Sequence, residues 1–222
     1  LQGALAIDRN IAAVYIERGN IHKSGSRYED ALKQYKLATL ISPDDWQGYY
    51  KQGVVLYYLS RMEEAKEALT KANEMSLDNG MVFHFRGLVA LAENDLKTAE
   101  EMLKKASEHD SKNADVWFHY GQTYMRLEQY EAAKTHLLKA VELDPNNSET
   151  LYNLGQVYKK LSQHATSREY LRKFKNISDI EERSEALSTQ IRMHPENSSL
   201  RLQLAELYEQ NGQLDRALMV YK

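Results

Sequence analysis

The sequence predicts an all-α fold, a solenoid of stacked helix-turn-helix hairpins. Three observations predict it. Helix-favouring residues dominate, with only 3 prolines and 10 glycines in 222 residues. Gly19, Gly53, Gly87, Gly121 and Gly155 recur at a 34-residue spacing. Two alanine rows, Ala31/Ala65/Ala99/Ala133 and Ala38/Ala72/Ala106/Ala140, keep the same period. A fixed period of this size is the mark of a repeat array, in which each unit buries its apolar face against the next.

Each glycine falls in a first helix, A. Four residues before it stands a large side chain: Tyr15, Tyr49, Phe83, Trp117 and Leu151. The alanines fall in a second helix, B, with Tyr35, Leu69, Leu103 and Leu137 between them. Small residues let A and B approach closely, and the large ones fill the space beside them. The turn texts "SPDD", "DPNN" and "HPEN" recur along the chain, and a proline after helix B stops that helix.

The expected division follows this rhythm. Residues 1–11 read as the end of an upstream repeat helix. Hairpins are expected at 12–45, 46–79, 80–113, 114–147 and 148–179. Gly155 and its counterpart Ala205 are then 50 residues apart, so the phase breaks. An extra amphipathic helix is expected at 180–197, with Ile180, Ser184, Leu187 and Ile191 on one face. Residues 198–222 read as an incomplete hairpin, and the lack of polar end caps suggests a portion of a longer array.

The pattern Leu151-x2-Leu154-Gly155-x2-Tyr158 resembles the tetratricopeptide repeat signature W-x2-L-G-x2-Y. Trp117, Tyr120, Gly121 and Tyr124, with Ala133, Leu137, Ala140 and Pro145, match it through the A-x3-F and P portions. Leu77 and Ser111 depart from it at the proline position, and Ala90 at the tyrosine. The resemblance implies a right-handed α-solenoid whose A helices line a concave ligand groove.

With the glycine as position 8, about 100° per residue puts positions 4, 7, 8 and 11 on the packed face. Trp117, Tyr120 and Tyr124 are therefore expected in the core. Positions 2, 6, 9 and 13 lie opposite, bordered by 5 and 12. These supply the expected groove: Tyr50, Val54 and Tyr57 from the second hairpin; Met81, His84, Phe85, Leu88 and Leu91 from the third; Phe118, His119, Gln122, Met125 and Arg126 from the fourth; Tyr152, Asn153 and Gln156 from the fifth. An apolar, aromatic surface of this kind points to an interaction site. Tyr50, His84, Phe118 and Tyr152 would form a ladder along it. Asn153 and Gln156 would set the register of a peptide backbone, and Arg126 would meet acidic flanks. The carboxylate clamp of some tetratricopeptide relatives is missing, since Ile16, Asn20, Lys51, Met81 and Phe85 occupy its positions.

The expected function is a protein-interaction scaffold that binds an extended or helical peptide. A regulatory or substrate-recruiting region of a larger enzyme, and a self-association module using 178–194, remain alternatives. No enzyme activity, cofactor or metal is expected. The chain has no cysteine, no HExxH and no phosphate-binding glycine loop. A net charge of −3, with acids and bases interspersed, gives no nucleic-acid footprint. The apolar runs are too short for direct membrane insertion.

Overall fold

The computed structural model describes residues 2–221, and the side chains of residues 10–221. The described residues form twelve α-helices and no strand. They are α1 (Gln2–Ser24), α2 (Tyr28–Ile41), α3 (Trp46–Tyr58), α4 (Met62–Ser76), α5 (Gly80–Ala92), α6 (Leu96–His109), α7 (Ala114–Arg126), α8 (Tyr130–Leu143), α9 (Ser148–Lys160), α10 (His164–Met193), α11 (Ser198–Gln210) and α12 (Leu214–Tyr221). Two compact units divide after Leu143, with α1–α8 in the first and α9–α12 in the second. In unit 1 each odd-numbered helix pairs with the next, and hairpins join through α2–α3, α4–α5 and α6–α7 contacts. In unit 2, α9, α10, α11 and α12 pack in sequence order.

Turn chemistry repeats as strictly as the core. The A helices α3, α5, α7, α9 and α11 begin at Asp45, Asn79, Asn113, Asn147 and Asn197, whose side chains each accept a backbone N–H of the first turn. Such a cap contributes roughly 1 kcal/mol. Each A helix ends on a residue in the left-handed region: Ser26, Ser60, Asn94, Glu128, Ser162 and Gly212. The next N–H reaches back five residues, as in Arg61 N to Leu56 O at 2.9 Å and Gln129 N to Tyr124 O at 2.9 Å. This is a Schellman termination, which satisfies carbonyls that the helix leaves unpaired. Five of these six positions carry a Cβ and bear the associated cost. Glu128→Gly is therefore expected to stabilise the protein by about 1 kcal/mol, and Gly212→Ala to destabilise it similarly. Urea-unfolding midpoints check both; a Glu128→Gly protein no more stable than the parent would contradict the account.

The glycine row works by contact. A methyl group at Gly53, Gly87 or Gly121 would lie 2.5–2.6 Å from the Cγ of Leu69, Leu103 or Leu137. In unit 2, Gly155 stands under Leu171 in the same way. At Gly19 the neighbour is the ring of Tyr35. Tyr35, Leu69, Leu103 and Leu137 are fully buried, as are the alanines flanking them. Burying each leucine contributes roughly 2 kcal/mol, available only because the opposing residue has no side chain. Two polar side chains caught in these seams find partners. Gln52 Nε2 donates to Tyr35 O at 3.2 Å and to Thr39 Oγ1 at 2.8 Å. Ser167 Oγ donates to Gly155 O at 2.8 Å.

Two expected boundaries differ. One helix, α1, spans what the sequence reading separates at residues 11 and 12, although the side chains before Asn10 lie outside the described residues. The helix expected at 180–197 is the second half of α10, a single 30-residue helix. Nothing between 164 and 193 interrupts it, because neither glycine nor proline occurs there. Its face of Ile177, Ile180 and Ser184 is buried, and α11 packs against α10.

Candidate functional site

The A-helix face of unit 1 resolves into two layers. Positions 5, 9 and 12 form the seam between hairpins rather than an open surface. Val54 is 5% exposed, Leu88 6%, Leu91 5% and Phe118 5%. This corrects the expected ladder: Phe118 is a packing residue. Position 5 of one hairpin meets position 6 of the next, with Tyr50 and Phe85 ring centroids 5.8 Å apart and those of His84 and His119 5.6 Å apart. Tyr50, Tyr57 and Phe85 are half-buried against the core that includes Val55 and Val89. Gln122 and Met125 are also half-buried.

Positions 2 and 13 stay open. Met81 is 54% exposed and Tyr58 49%. Around them lies a cleft of about 360 Å³. Of the expected residues, it gathers Tyr50, Met81, His84, Phe85, Leu88 and His119. Tyr58, Gly80, Asp110, Asn113, Asp115 and Val116 complete its lining. Asp110 and Asn113 sit in the α6–α7 turn, where no helical wheel assigns a direction. Val54, Tyr57, Leu91, Phe118, Gln122, Met125 and Arg126 do not line the cleft. Arg126 is instead a brace, its Nη1 donating to Leu91 O at 2.6 Å, at the end of α5. Tyr152, Asn153 and Gln156 belong to unit 2, where Tyr152 is 43% exposed and packs on Phe174 at 5.2 Å.

The two histidines are shaped by burial. Desolvation, helped by His119, holds His84 down at about 4, while Asp110 opposes it. His119 is likewise lowered by burial, opposed by Gln122 and Asp115. His119 Nδ1 lies 3.2 Å from Gln122 Oε1. Both rings are neutral at pH 7 and act as flat, weakly polar wall. Among the described residues no group of three or more His, Asp or Glu is placed to hold a metal ion. A second aromatic cluster lies between α7 and α8, where His136 stacks on Tyr120 at 4.0 Å, Tyr124 at 5.2 Å and Trp117 at 5.7 Å. Of the three residues expected in the core, Tyr120 is buried, while Trp117 and Tyr124 are half-buried.

Stacked αα-hairpins with a cleft on their A helices define a helical-repeat interaction module. Tetratricopeptide repeat models match residues 90–154 in one case and 47–79 and 148–181 in another. The chain belongs to the tetratricopeptide repeat family. Its solved structural neighbours share the fold. MamA (41-end) from Desulfovibrio magneticus RS-1 is 23% identical, with a TM-score of 0.68 over 76% of this chain and 95% of that one. YrrB, described as a TPR protein with an unusual peptide-binding site, is 26% identical, with a TM-score of 0.61 over 73% of this chain and 84% of its own. Another MamA crystal structure is 16% identical at a TM-score of 0.65, over 76% of this chain and 92% of that one. No curated protein sequence matches the chain significantly. The repeats indicate protein partners, and no described helix is long and apolar enough to cross a membrane.

Proposed function

We propose that unit 1 binds a segment of a partner protein in the cleft over α3, α5 and α7. The observation that carries this reading is the pairing of a rigid aromatic floor with exposed Met81 and Tyr58 beside it. Tyr50 and Phe85 are held by the core, so their faces are presented without further loss of rotamer freedom. Methionine and tyrosine at the rim bring adaptable contact area. The peptide-binding site ascribed to YrrB lends support, since that protein shares the same repeat architecture. The binding energy is burial of partner apolar side chains on this floor. The scaffold role requires no chemistry.

The test uses fluorescein-labelled leucine- and tyrosine-containing peptides of about twelve residues and fluorescence anisotropy. Met81→Glu and Tyr58→Ser alter exposed side chains, so the circular dichroism melt should move little. Each is expected to weaken peptide binding by roughly tenfold, as loss of an interface anchor does. Unchanged affinity in both variants would place binding elsewhere.

A further inference from the structure

The cleft has a one-sided charge. Its floor is apolar or aromatic through Tyr50, Met81, Phe85 and Leu88, while its only charged lining residues are Asp110 and Asp115. Both carboxylates are exposed, and neither forms an ion pair with another described residue. Two cations of the A helices are engaged elsewhere. Lys51 Nζ donates to Asn20 Oδ1 at 3.1 Å, and Arg126 to the Leu91 carbonyl at 2.6 Å. Lys112 shares the α6–α7 turn but does not line the cleft. The neutral imidazoles of His84 and His119 add no compensating charge.

Resting on the peptide-binding reading above, we infer that the cleft selects a segment carrying an arginine between apolar residues. An arginine's methylene stem can lie along Met81, Phe85 and Leu88 while its head stays near water and the two carboxylates. A guanidinium is planar, weakly hydrated and attracted to ring faces, so the aromatic wall and the acidic lip favour the same group. A lysine satisfies the charge but not the stacking. A glutamate at that point meets two like charges and an apolar floor.

Three labelled glycine/serine peptides with a central Leu-X-Leu test this on the whole chain, with X as arginine, norleucine or glutamate. The arginine peptide is expected to bind about tenfold more tightly than the norleucine one, and the glutamate peptide most weakly. Added salt should weaken the arginine peptide alone, because the carboxylates are exposed. The Asp110→Asn/Asp115→Asn protein should lose the arginine preference and keep norleucine-peptide affinity. Equal binding of the arginine and norleucine peptides would overturn the arginine preference and leave the apolar cleft standing. Failure of all three peptides would overturn both readings. A preference that survives the double substitution would overturn the assignment to these two carboxylates.

Discussion

Phe118→Glu unfolds unit 1 rather than weakening a binding surface; this is the expected result. The ring is 5% exposed and packs against His119 at 4.9 Å. Removing a buried phenylalanine costs roughly 3–5 kcal/mol, and a carboxylate in its place adds the cost of a buried charge. Against a total stability of about 5–15 kcal/mol, that is a large fraction. Tyr152, at the same repeat position in α9, is 43% exposed. Tyr152→Glu should cost under about 1 kcal/mol. Far-UV circular dichroism melts of the two variants decide the matter. Equal losses would mean that position 5 has one role in every hairpin, contrary to the burial observed.

Acid is expected to destabilise the protein through His84. The folded chain holds this imidazole at about 4 against an ordinary 6.5. As the pH falls below 6.5, the unfolded chain takes up a proton that the folded chain refuses. The contribution is complete above 6.5 and is lost down to about 4, by on the order of 3 kcal/mol. Burial of His119 acts with the same sign, while Asp110 and Asp115 oppose the two shifts. Urea midpoints measured from neutral pH to about pH 4.5 should therefore fall steeply. His84→Phe keeps a ring in the seam and removes the titrating group, so its fall should be visibly shallower. An identical pH slope in that variant would show that carboxylates elsewhere dominate.

The hairpin was legible because its contacts recur at fixed sequence offsets. Gly53 and Leu69, Gly87 and Leu103, and Gly121 and Leu137 are each 16 residues apart, and each pair meets in the structure. The left-handed turn row was hidden, since Ser60 and Glu128 carry none of glycine's signal. The continuity of α10 was hidden by a phase break that suggested a new element. Its uninterrupted run, free of glycine and proline, was the signal that pointed the other way.

The site divides along the same line. A helical wheel separates the face that packs within a hairpin from the rest, and it did so for Tyr120. It cannot say which remaining residues meet the next hairpin, because that depends on the rotation between repeats. The sequence alone therefore determined the family, the all-helical repeat and the residues of the inner seams, all set by local spacing. Only the tertiary structure decided that Phe118, Leu88 and Leu91 close a seam while Met81 and Tyr58 stay open beside Asp110 and Asp115. Those positions are fixed by contacts between helices α3, α5 and α7, about a repeat apart in the chain, which no single helical period encodes.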